Sequence, residues 1–153
     1  DLLRAMLDGG MSPQRVTDAS NTTLLHSAAG PGSGSLEIVK LLLQRGTDIN
    51  ALDRLGRSAL HDAINTNHIA LALYLVQQGS RVDTRTVNGV SVAWSVWNAL
   101  GKMQPGPVKA QYEQLRDLMM AKGIQWPPDP PDVVRDQMRA RGEKVVVPAG
   151  NKR

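Results

Sequence analysis

The sequence predicts an all-α repeat fold, a solenoid of stacked helix-turn-helix units joined by β-turn or hairpin loops. Three observations lead there. Leu25-His26-Ser27-Ala28-Ala29 returns 35 residues later as Leu60-His61-Asp62-Ala63-Ile64, and the slot comes round 33 residues after that as Ala93-Trp94-Ser95-Val96-Trp97. Self-similarity at such a period marks an array of one supersecondary unit that cannot bury its apolar faces alone. Leu36, Val39, Leu42 and Leu43 recur at helical spacing, so one side of that segment is apolar. Asn21, Gly56 and Gly89 hold the tight-turn position, where positive φ excludes most side chains.

From the N-terminus, Leu2, Leu3, Met6, Leu7 and Gly10 read as the second helix of a partial unit over 1–17. The unit 18–52 supplies Asp18, Thr23, Leu25, His26, Ala28 and Ala29, then Leu36 to Leu43, Gly46 and Thr47-Asp48-Ile49-Asn50-Ala51. The unit 53–85 begins Asp53-Arg54-Leu55-Gly56-Arg57-Ser58-Ala59-Leu60-His61-Asp62-Ala63 and continues through Leu71, Ala72, Leu75 and Val76 to Gly79. The unit 86–123 keeps the turn and helix start, Asn88-Gly89-Val90-Ser91-Val92-Ala93. Thr23 and Ser58 stand where a first helix begins, and a hydroxyl there accepts from an otherwise unpaired amide. These segments resemble the ankyrin repeat, whose D-x-x-G turn leads into T-P-L-H-x-A and whose units close near G-A-D-V-N-A. The resemblance covers about residues 1–123 and implies a protein-binding framework, with 124–153 as a C-terminal capping segment and tail.

Departures from the pattern carry their own information. The link between helices is longer by two residues at Gly30–Ser35 and by about eleven around Gly101–Pro107. Both additions fall on one edge and read either as a binding elaboration or as neutral loop drift. Trp94 and Trp97 replace a histidine and a small residue, so a standard next unit would not fit. Trp126-Pro127-Pro128-Asp129-Pro130-Pro131 cannot continue a helix. It is expected to fold back over the open end and cover Trp97, the rival reading being an aromatic hot spot for a partner. A short helix is expected over Asp132–Arg141, with Val133, Val134, Gln137 and Met138 inward and Gly142 as its stop. Lys144 to Pro148 reads as extended.

Composition excludes several classes. The 153 residues contain no cysteine, which removes disulfides, thiol catalysis and zinc-thiolate sites. They contain no phenylalanine either, so the interior is to be built from Leu, Val, Ile, Ala and Met. No apolar run approaches the ~20 residues that cross a bilayer. The net charge of +4 is too diffuse for a phosphate-tracking stripe; nucleic-acid binding stays a remote alternative, and a basic face that steers an acidic protein partner fits better. The chain opens inside an apparent helix, so a first helix, a signal peptide or both are expected upstream. Periplasm and cytoplasm both fit.

Chemistry-bearing residues do not assemble into a catalytic centre. Ser58, His61 and Asp62 offer nucleophile, base and acid, but neighbouring helix positions diverge, so Asp62 cannot orient His61. The resemblance implies that His26 and His61 are structural, linking helix start to turn, and that His68, after Asn67, opens a second helix. Three histidines in two units make a poor metal site. Gly30-Pro31-Gly32-Ser33-Gly34 lacks the Gly-Lys-Ser/Thr of a phosphate cradle. No enzyme, cofactor or metal site is expected.

The family holds partners at its turn tips and on the exposed side of its first helices. Carried over, this gives Ala19, Ser20 and Thr22, then Arg54, Leu55 and Arg57, then Val87, Asn88 and Val90 at the tips. On the helices it gives Ser27, Asp62, Asn65, Thr66, Ser95 and Asn98. Arg54, Leu55 and Arg57 join two planar cations to an apolar anchor and form the leading site. The partner is expected to be another protein, an enzyme or toxin, met by a monomer. The sharper reading is an inhibitor or immunity protein neutralising a cognate bacterial enzyme or toxin; the alternative is a non-inhibitory scaffold or chaperone-like partner. Stacking itself is testable: Leu60→Ala should cost about 2–5 kcal/mol, and an unchanged thermal melt would contradict it.

Overall fold

The computed structural model describes residues 2–17 and 19–149; Asp1, Asp18, which the sequence reading places at the start of a repeat, and the last four residues lie outside them. Among the described residues the secondary structure is helical: α1 (Leu2–Asp8), α2 (Leu24–Ala29), α3 (Leu36–Gln44), α4 (Ala59–Asn65), α5 (Ile69–Gln77), α6 (Val92–Leu100), α7 (Pro107–Ala121) and α8 (Pro131–Ala140). Single antiparallel bridges, Val16 to Thr23 and Arg85 to Ser91, pinch the connecting loops into hairpins. The all-helical repeat expected from the sequence is what forms.

First helices start where hydroxyl and histidine meet. In α2 the Thr23 amide donates to His26 Nδ1 (3.2 Å), and the Thr23 hydroxyl lies 2.8 Å from the same nitrogen. Ser58 repeats this at α4, with 3.2 Å and 3.1 Å to His61 Nδ1. Each box satisfies amides that the first helical turn leaves unpaired. At α6 the ring is gone, and Ser91 caps alone by accepting from the Trp94 amide at 3.0 Å.

Stacking follows the repeat. α2 packs on α4 and α4 on α6, while α5 packs on α7. Leu25, Leu42, Leu60, Leu75, Val92, Val96, Leu115 and Met119 are fully buried along this seam. Tyr112 joins them, an aromatic that sequence periodicity did not single out. Its hydroxyl reaches the Ile64 carbonyl (3.3 Å) and Asn67 Oδ1 (3.0 Å), tying α7 to the end of α4.

Three expectations need correction. The long third-unit insertion is only partly loop: residues 101–106 link the helices, and much of the rest lengthens α7 to 15 residues against 9 in α3 and α5. The Pro-rich segment does not close over Trp97: Trp126 borders the same concavity, but Trp97 keeps 40% of its surface exposed. Nor does α8 bury the face expected of it: Val134 and Met138 are buried, but Val133 and Gln137 are exposed and Arg135 is buried instead.

Past Trp126, which shares a concavity with Trp97, the C-terminal segment seats itself on the third turn. Arg135 Nη1 donates to the Asn88 carbonyl at 3.0 Å, the Val146 amide donates to the Val87 carbonyl at 2.7 Å, and Arg85 forks onto Glu143 at 2.8 Å. Gly89 makes the approach possible. A Cβ there would lie 2.4 Å from the Pro131 carbonyl oxygen and 2.8 Å from Arg135 Cγ, in a backbone at φ +84°. Gly79 has similar φ, +95°, but open space around it. Gly79→Ala should therefore cost only backbone strain, about 1–3 kcal/mol. Gly89→Ala should cost more and expose residues 131–147 to hydrogen exchange; equal losses in the two variants would contradict this seating.

Candidate protein-binding surface

The turn tips form a ladder of backbone hydrogen bonds. The Arg54 amide donates to the Ser20 carbonyl at 2.8 Å, and one unit on the Val87 amide donates to the Leu55 carbonyl at 2.9 Å. The next equivalent acceptor, the Asn88 carbonyl, is the one that takes Arg135. The ladder thus ends on the chain's own guanidinium.

Asp53 stiffens the middle tip. Its side chain is fully buried, with Oδ1 accepting from the Leu55 amide (2.8 Å) and the Arg57 amide (2.9 Å). Oδ2 holds the Arg57 guanidinium at 2.7 Å, and Arg57 reaches Asp62 at 3.6 Å. Burial pushes the Asp62 carboxyl above its ordinary range, and the Arg57 charge opposes that shift.

The residues expected to bind separate into four groups. Arg54 and Leu55 stand exposed at the tip, Leu55 with half its surface in solvent. Ala19, Ser20 and Ser27 are exposed and Thr22 half-buried on the preceding unit. Asn65, Val90, Ser95 and Asn98 are brought together, with Trp94 and Lys102, around a concavity of ≈ 360 Å³. Other residues are engaged inside the fold. Asp62 is buried against Arg57, and Arg57 is locked between two carboxylates. Thr66 spends its hydroxyl on the Asp62 carbonyl at 2.7 Å as the C-cap of α4. Val87 and Asn88 already give their carbonyls to the C-terminal segment. For these five, position in the repeat says nothing of internal partners.

The histidines are structural. His26 Nδ1 accepts from its own cap, so the proton sits on Nε2, which donates to the Arg57 carbonyl of the next unit at 2.9 Å. His61 faces the Val90 backbone in the same way, but its Nε2 completes no hydrogen bond. His68 lies beside Thr66 (3.0 Å), between units. Among the described residues no cluster of three His, Asp or Glu could hold a metal ion, and no helix is long and apolar enough to cross a membrane.

Comparison with known proteins agrees with this architecture. A family model of ankyrin repeats in three copies matches residues 1–86, and the chain belongs to that family. It is 35% identical over 97 residues to the B-cell lymphoma 3 protein homolog of Mus musculus, covering 61% of this chain and 21% of that protein. It is 31% identical over 98 residues to ankyrin repeat domain-containing protein 37 of Homo sapiens, covering 62% of this chain and 61% of that one. Inversin of Danio rerio is 36% identical over 66 residues, 43% of this chain and 6% of inversin. The chain thus spans only part of each relative, from a small fraction to about three fifths. Ankyrin repeats are protein-interaction modules and generally carry no catalysis.

Burial lowers His61 from 6.5 to about 4, the Val90 backbone and Asp53 opposing and Arg57 adding to the fall. The unfolded chain therefore binds a proton that the fold rejects, and stability present above pH 6.5 drains away as pH falls toward 4. The loss should reach about 1 kcal/mol by pH 5.5 and about 2 kcal/mol by pH 5. Urea midpoints measured across this window check it against a His61→Gln variant, which should show the shallower slope; equal slopes would contradict it.

Proposed function

We infer that this chain holds a partner protein through the Arg54–Leu55 tip and the first-helix positions Asn65, Ser95 and Asn98, and silences it. In this reading it is an inhibitor or immunity protein for a cognate enzyme or toxin, with repeats over 1–123 presenting the surface and 124–153 closing it. One observation carries the reading. An exposed cation and an exposed leucine sit on a backbone pinned from both sides, by Ser20 and Val87, and from beneath by Asp53. Such a tip loses little conformational freedom on docking, which favours tight association. Aromatic and arginine anchors flanked by near-neutral contacts are how such surfaces concentrate binding energy.

The test is affinity capture from the native source followed by an activity assay on the captured protein. Arg54→Ala/Leu55→Ala serves as the comparison; Arg57 is left intact because its removal would strand buried Asp53. The double variant should bind at least ~10-fold more weakly, about 1.4 kcal/mol, and the wild-type complex should be inactive. A partner that keeps its activity in the complex makes the chain a scaffold. Equal capture by both baits would overturn the tip as the site.

A further inference from the structure

We propose a second docking site, apart from the turn tips, at the end of the stack: a tryptophan-walled, basic concavity that takes an acidic peptide segment carrying an aromatic or aliphatic anchor. Trp97 and Trp126 wall an open concavity of ≈ 510 Å³, into which Lys102, Lys109 and Arg116 also project, with Glu113 on the same lining. That volume lies within the range of natural ligand sites, roughly 300–1,000 Å³. Trp94 stacks beside Trp97, ring centroids 4.8 Å apart, so all three tryptophans of the chain gather at or next to the site.

Three features set the chemistry of the occupant. Trp97 keeps 40% of its surface exposed, a large apolar area that the fold leaves uncovered. None of the three indole N–H groups has a hydrogen-bond partner among the described residues, so each remains a donor next to an apolar wall. Arg116 is paired with Asp117 at 2.8 Å, whereas Lys102 and Lys109 have no ion pair among the described residues. Two free ammonium groups flanking an aromatic slot complement carboxylates on either side of an apolar side chain. The Glu113 carboxylate and the Arg116–Asp117 pair disfavour a phosphodiester strand, which would want an unbroken basic track.

Asn98 borders both surfaces, but the site requires nothing of the Arg54–Leu55 tip, so tip variants tell the two apart. The experiment is a peptide-display selection against the full chain, followed by titration of the enriched peptides using the intrinsic tryptophan fluorescence. Enriched peptides should place Asp or Glu around one Phe, Leu or Ile and bind with a saturable change in tryptophan emission. Lys102→Glu/Lys109→Glu, which alters only surface charge, should weaken them at least tenfold, and Trp97→Ala should weaken them comparably while circular dichroism stays that of the parent. Arg54→Ala/Leu55→Ala should leave them unchanged. The proposal falls if selection enriches nothing or basic peptides, if affinity ignores the charge reversal, or if a single-stranded oligonucleotide binds the site more tightly than the peptides.

Discussion

One histidine ring joins two units. His26 takes hydrogen bonds from its own helix cap on Nδ1 and, because that nitrogen is then an acceptor, presents Nε2–H to the Arg57 carbonyl of the next turn. The helix start, the ring tautomer and the register of the neighbouring turn are thereby set together. Arg57, whose carbonyl is held, sends its side chain to buried Asp53, and Asp53 organises the turn that carries Arg54 and Leu55. The exposed tip therefore inherits its rigidity from a buried ring one unit away. Apolar stacking provides most of the driving force, but it is non-directional, and the polar links choose the register.

The same logic explains where the stack stops. At the third slot Trp94 stands where a histidine would link cap to following turn, and the cap survives on Ser91 alone. Arg135 supplies the donor that a fourth turn would have supplied to Asn88. The tail thus imitates one rung of the ladder without its helices. Because it settles largely on the turn side, Trp97, midway along α6, stays exposed, and that opening is what makes a second contact surface there physically reasonable.

Much of this was legible in the sequence. The Leu-His repeat, the hydroxyl caps and the turn positions Asn21, Gly56 and Gly89 are local signals, and each has the expected geometry, with φ of 60°, 75° and 84°. Less legible was whatever depends on partners far along the chain. Arg57 looked like a surface cation because its buried carboxylate, Asp53, reads as a turn residue. Arg135 looked solvent-facing because helix periodicity does not show that a glycine, Gly89, leaves room for its stem. Tyr112 gives no periodic signal in a helix of low apolar content, although it spans to Ile64 and Asn67. For the surface, the turn positions were readable, but which side chains remained free was decided by internal pairing.

The most direct measurement is nitrogen-15 NMR of the histidine rings at pH 7, assigned through His26 and His61 substitutions. Both rings should carry a proton on Nε2, the His61 ring should be uncharged, and the His26 Nε2 proton should exchange slowly and couple to the Arg57 carbonyl. A proton on Nδ1 of His26, or a charged His61 ring, would contradict the link on which the stack's register is argued to rest.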